Sequence, residues 1–192
     1  MNPDTLKPKT NNPAEAAFNK LHFSPDVEIV DMSQNSVLRV AIPEGVNGVK
    51  DDGVEYLALL GVPSEQDRDT VLGIFKGSDG QIYISNGEDG VEPVLIHRNT
   101  RLTIGRAGVF VDTPGVNGKV LRSRIDLDPA RSLIAGFGEQ TSREHLIIDL
   151  DKDGKLYISD ISTSGTKAIL PKNTEVAKFV NGLKVSTPRT DI

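Results

Sequence analysis

Leu146-Ile147-Ile148-Asp149-Leu150-Asp151-Lys152-Asp153-Gly154-Lys155-Leu156-Tyr157-Ile158-Ser159-Asp160 reads as two strands around a polar turn. Asp153-Gly154 is a favoured hairpin-turn pair. In the second strand, Leu156 and Ile158 fall on one face and Tyr157 on the other. The pattern recurs upstream in Asp79-Gly80-Gln81-Ile82-Tyr83-Ile84-Ser85, with Ile82 and Ile84 on one face and Tyr83 on the other. The flanking residues do not continue the match, so these are two similar hairpins and not an internal repeat.

Working outward, short apolar segments cut by Gly, Asn, Asp and Pro follow one another at close spacing. Strands are expected at 71–75, 81–85, 91–96, 101–104, 109–111, 125–127, 133–135, 145–150, 155–159, 167–170 and 183–185. Such a run predicts an all-β fold, an antiparallel sandwich. Upstream, 27–30 and 37–42 read as further strands. The apolar stretch 54–60, closed by Gly61 and Pro63, reads as one short helix. Residues 1–25 carry Pro3, Pro8, Pro13 and Pro25 among polar residues and read as a disordered tail with a short helix near 14–21. The chain thus divides into a tail over 1–25, an acidic extension of short strands and a helix over 26–70, and a sandwich over 71–187.

Composition narrows the function. The 192 residues include 18 Gly and 11 Pro, and no Cys or Trp. Absence of Cys excludes disulfides, Cys-ligated zinc and a thiol nucleophile, and leaves the compartment open. No apolar run is long enough for a membrane helix, and the first residues lack the apolar core of a secretory signal. The net charge of −5 argues against a general nucleic-acid binder. Its distribution says more: residues 1–97 carry −9, residues 98–143 carry +4, and the rest balance. Seven of the eight basic residues in the middle segment are Arg, which suits bidentate contact with phosphate or carboxylate.

Three clusters carry the chemistry. Leu102-Thr103-Ile104-Gly105-Arg106 is a strand ending in Gly-Arg. Thr141-Ser142-Arg143-Glu144-His145 leads into an apolar strand. Ile158-Ser159-Asp160-Ile161-Ser162-Thr163-Ser164-Gly165-Thr166 is a strand, a polar loop and a restart. Loops at one end of a sandwich converge in space. Arg106, Ser142, Arg143, Thr163 and Ser164 are therefore expected on one polar face. Two guanidiniums and three hydroxyls suit an anion with several oxygens.

These clusters resemble the forkhead-associated (FHA) family, which shows Gly-Arg after an apolar strand, then Ser-Arg-x-His, then Asp-x-x-Ser/Thr-Asn-Gly-Thr. The resemblance covers about 71–185 and implies a β-sandwich that binds phosphothreonine peptides at one end. It implies that Arg106 holds the phosphate or the peptide backbone, with Arg143 beside it. Ser142 bonds a phosphate oxygen and Thr163 adds a second hydroxyl. His145 is a buried structural residue, and Gly105, Asp160, Gly165 and Thr166 belong to the structural motif, Gly165 serving turn geometry. Two departures stand out. Ser164 replaces the family's Asn, and Ser142 lies 36 positions after Arg106, about twice the usual gap. An insertion is therefore expected around 112–140, where Arg122, Arg124 and Arg131 would extend the positive patch. The expected function is phosphorylation-dependent protein–protein interaction in signalling, in the cytoplasm. No catalysis, cofactor, metal, nucleic-acid partner or membrane partner is expected. A structural scaffold for an unphosphorylated protein partner is the alternative.

Other motifs compete. Asp149 to Asp160 fits several ligand positions of an EF-hand calcium loop, which would make a calcium-dependent enzyme a third reading, but the flanks read as strands and position 12 is Asp. Gly136-Phe137-Gly138 lacks the third Gly and the strand–helix setting of a nucleotide loop. His22, His97 and His145 fall in no metal or protease pattern, and no Gly-x-Ser-x-Gly occurs.

Overall fold

The 146–160 hairpin forms as its sequence dictates, and the 79–85 hairpin closes with the same turn. In each, an N–H bonds the carbonyl four residues on, from Gly77 to Gln81 at 2.8 Å and from Asp151 to Lys155 at 3.0 Å. Gly80 and Gly154 hold φ of 80° and 79°, a left-handed geometry that favours glycine. The computed structural model describes residues 12–21, 24, 26–42, 49–51, 54–65, 68–126, 128–172 and 176–185. Helix α1 (Pro13–Leu21) comes first. Strands β1 (Val27–Met32), β2 (Ser36–Val40), β3 (Val49–Asp51), β4 (Val54–Glu65) and β5 (Arg68–Lys76) follow. Then come β6 (Ile82–Ser85), β7 (Val94–Ile96), β8 (Thr100–Gly105), β9 (Gly108–Pro114) and β10 (Val120–Arg124). The last are β11 (Leu146–Leu150), β12 (Leu156–Asp160), β13 (Thr166–Pro171), β14 (Val176–Val180) and β15 (Leu183–Val185).

Two antiparallel sheets pack face to face, as the spacing of short strands predicts. One has seven strands in the order β1-β13-β4-β5-β6-β7, with β3 paired to β4. The other has eight in the order β10-β9-β8-β11-β12-β2-β14-β15. Between them lies a core that includes Leu38, Leu60, Ile74, Ile104, Ile148 and Ile158, each fully buried. A second cluster covers the outer face of the first sheet, where Ala14, Ala17 and Phe18 of α1 pack on Tyr56, Leu59 and Ile169. The helix matches the one expected near 14–21. Residues 1–11, where most of the disordered tail was expected, lie outside the described residues. Residues 26–70, expected as an extension, supply β1, β3 and β4 to the first sheet and β2 to the second.

Three local expectations are corrected. Residues 54–60 form strand, not helix. Leu57, Ala58, Leu59 and Leu60 are all buried because β4 has the core on one face and α1 on the other, so no polar alternation marks it. The strand continues through Gly61 and Pro63. Pro63 lies beyond the described pairing with β13, which ends at Gly61, and sits at a register shift against β5. The strand expected at 125–127 ends earlier, at Arg124, because the Asp126 carboxylate takes the Val109 N–H at 2.8 Å. Leu127 is outside the described residues. Residues 133–135 form turns, with the Ala135 N–H on the Ser132 carbonyl. Leu133 and Ile134 are apolar because they plug the core. Strands β3, β10 and β14 were not anticipated.

The insertion expected around 112–140 has two parts. Strands β9 and β10 form an arm at the edge of the second sheet, and all five β10 residues are exposed. The segment after it returns across the sandwich, anchored by Asn86 Nδ2 on the Ser132 carbonyl and by the Thr141 hydroxyl on the Pro63 carbonyl at 2.8 Å.

Candidate functional site at the sandwich rim

Three loops meet at one end of the second sheet, and backbone approach sets their spacing. Beyond the β8–β11 ladder, the segment 142–145 runs beside the β8–β9 turn. The Arg106 N–H bonds the Ser142 carbonyl and the Ala107 N–H bonds the Arg143 carbonyl, both at 3.0 Å. Gly105 permits this approach, because a Cβ there would clash with the Arg143 carbonyl and lie 2.7 Å from Glu144 Cα. The third loop joins β12 to β13. Its Gly165 has φ of 84°, and a Cβ there would lie 2.8 Å from the Met32 carbonyl oxygen.

His145 ties the three loops together from within. Its side chain is fully buried. Nδ1 accepts the Ser142 N–H at 3.3 Å, so that nitrogen carries no proton. The protonated Nε2 faces the Gly165 carbonyl at 3.0 Å and the Thr166 hydroxyl at 3.1 Å. Its backbone N–H bonds the Ile104 carbonyl, and its carbonyl takes the Ile161 N–H. Burial pushes the imidazole pKa below its ordinary value, against the opposing pull of the Gly165 carbonyl and the Asp160 charge. Asp160 is also fully buried, and its Oδ1 accepts both the Ser162 N–H at 2.8 Å and the Ser162 hydroxyl at 2.7 Å. Ser162 Oγ in turn accepts the Gly165 N–H. Asp160 and Ser162 thereby shape the loop from below.

Above this scaffold the polar side chains face outward. Ser142 Oγ accepts the Thr163 N–H at 3.1 Å and lies 3.4 Å from the Thr163 hydroxyl. Since that N–H uses only an acceptor lone pair, the Ser142 and Thr163 hydroxyls keep a hydrogen that can turn to a ligand oxygen. Arg106 is exposed, and its Nε donates to the Thr141 carbonyl at 3.2 Å. Arg143 is exposed beside Ser142. Ser164 is exposed too, and its hydroxyl donates to the Gln140 carbonyl at 3.1 Å. Hydrogen bonds thus join Ser142 to Thr163 directly, and link Arg106 and Ser164 to the adjoining residues Thr141 and Gln140. An open groove of about 600 Å³ starts at Ser142, Arg143 and Thr163 and runs over Ala107, Phe110 and Ile161 past Glu144.

The charges of the arm do not extend the patch as expected. Arg122 pairs with Asp112 at 2.8 Å and with Glu144 at 2.9 Å, Arg124 with Asp126 at 2.9 Å, and Arg131 lies 3.9 Å from Asp128. Each of these guanidiniums thus faces a carboxylate, Arg122 facing two. Arg106 and Arg143 have no carboxylate partner among the described residues.

Sequence reasoning did not single out Ala107, Phe110, Glu144 or Ile161. Glu144 was visible only as the spacer in Ser-Arg-x-His, and its partner Arg122 lies 22 positions away with no local pattern to connect them. Three of the four carboxylates of the calcium-loop pattern are engaged in separate places. Asp149 pairs with Arg101, Asp151 accepts N–H groups of its own turn, and Asp160 is buried with Ser162, while both flanks are strands. No helix among the described residues is long and apolar enough to cross a membrane. No protein-family model, curated protein or solved structure matches the chain.

Proposed function

We propose that the chain is a phosphothreonine-peptide-binding module that mediates phosphorylation-dependent protein–protein contact. One observation carries the reading. In a segment where Arg101, Arg122, Arg124 and Arg131 are each matched to a carboxylate, Arg98, Arg106 and Arg143 have none among the described residues, and of these Arg106 and Arg143 stand at the rim beside the Ser142 and Thr163 hydroxyls. A phosphothreonine brings about −1.5 to −2 charges and three acceptor oxygens. Each charge-assisted hydrogen bond to it contributes about 1.5–3 kcal/mol. The same geometry favours binding over catalysis. Both His145 nitrogens are engaged within the scaffold, which leaves Ser142 without a general base in the imidazole beneath it. Kinases that write phosphothreonine use ATP, so the reading requires an ATP-containing compartment, and the cytoplasm is the one proposed.

A second reading, a scaffold for an unphosphorylated partner, draws on Ser164. Its hydroxyl is held by the Gln140 carbonyl rather than directed at a ligand backbone. Phosphate dependence separates the two. A peptide library with a fixed phosphothreonine would be screened, and the best sequence and its unphosphorylated twin titrated calorimetrically. Only the phosphorylated form is expected to bind, and Arg106→Ala to abolish that binding. Equal affinity for both forms, or none for either, rejects the proposal.

A further inference from the structure

Glu144 is out of place in an anion site. It lines the same groove as Ser142 and Thr163, and its carboxylate would oppose an arriving phosphate dianion. The arm places a guanidinium on it. Arg122 Nη1 donates to Glu144 Oε1 at 2.9 Å. The same guanidinium donates to both oxygens of Asp112, through Nε at 2.8 Å and Nη2 at 3.2 Å, and lies 5.3 Å from the Phe110 ring centroid. Asp112 faces Arg122 across the β9–β10 ladder, so the register of the arm fixes where the guanidinium can reach. We infer that Arg122 is a positioning residue for ligand binding, which the insertion brings to the rim to hold Glu144 and offset part of its charge so that the groove admits a phosphorylated ligand.

The inference rests on the phosphopeptide reading and adds a dependence on a residue that does not touch the phosphate in this scheme. Arg122 and Glu144 are both substantially exposed, with side chains 44% and 48% accessible, so neither substitution opens the core. The experiment uses the best phosphothreonine peptide from the library, titrated at low and at physiological ionic strength. The proteins are wild type, Arg122→Ala, Arg122→Lys, Glu144→Gln and the Arg122→Ala/Glu144→Gln pair, with a thermal melt of each. Arg122→Ala is expected to weaken binding about threefold to tenfold at low salt, and less at higher salt, as a Coulomb effect across partly aqueous surroundings. Arg122→Lys retains most of the affinity. Glu144→Gln binds at least as tightly as wild type, and the double variant, in which Asp112 stands alone with the same net charge as the wild-type cluster, returns to about wild-type affinity. That rescue is the readout a merely structural role would not give. If wild type binds and Arg122→Ala binds equally well, or the double variant stays as weak as Arg122→Ala, this inference is overturned and the phosphopeptide reading stands. If wild type does not bind, both fall.

Discussion

His145 shows how one residue can set the chemistry of a surface it does not reach. Its unprotonated Nδ1 receives the Ser142 N–H, and Ser142 then receives the Thr163 N–H. A proton on Nδ1 would set two donors against each other and release Ser142. Because burial depresses the native pKa, the unfolded chain binds a proton near 6.5 that the folded one refuses. The contribution of His145 is therefore complete above pH 6.5 and is lost as pH falls from there through the lower native value. We expect the urea midpoint to drop between pH 7.5 and 5.5, and the drop to shrink in His145→Gln. An equal pH slope in both proteins would refute this. At this scale much of the site was legible. Gly105 and Gly165 occupy the positions where a Cβ would meet backbone, and the Ser142–Thr163 contact joins two of the quoted clusters. The groove floor was not legible, because Phe110 and Ile161 look like ordinary strand and loop residues until the fold sets them side by side.

Helix α1 explains a misreading one level up. It covers the outer face of β4, which is why that strand has no polar side and shows a continuous apolar run. The fit is close. A Cβ on Gly61 would lie 2.6 Å from Phe18 Cζ, so a bare backbone at that point receives the ring. The N-terminus of α1 is capped by Asn12, whose Oδ1 accepts the Ala14 N–H at 3.0 Å. Phe18→Ala is expected to destabilise the protein by about 3 kcal/mol in urea unfolding, the low end for a buried Phe because a peripheral helix can settle into the gap. A loss below about 1 kcal/mol would show that α1 is not part of the cooperative unit. The β9–β10 arm was visible only as excess length between Arg106 and Ser142. Its strand β10 carries Val120 and Leu121 at 66% and 60% exposure, so burial, the usual source of strand patterning, does not act on it.

Across the whole molecule, the sandwich class followed from local spacing, but the pairing of its ends did not. Strand β1 pairs with β13, and β2 lies between β12 and β14, which joins residues from opposite halves of the chain. No short-range pattern encodes such partners, and for that reason 26–70 reads as an extension. Sheets built from distant pairings fold slowly, since loops must close before contacts reward them. Refolding by stopped-flow fluorescence or circular dichroism is expected in milliseconds to seconds. Recovery of the full native signal within microseconds would contradict it. The same arrangement has a cost during synthesis. Both neighbours of β2 emerge from the ribosome more than a hundred residues after it does, a wait of roughly ten seconds at about 5–20 residues per second. Through that interval the nascent chain holds Leu38 and Val40, which will end fully buried, without the strands that cover them. A chaperone that binds extended apolar segments would find its target there.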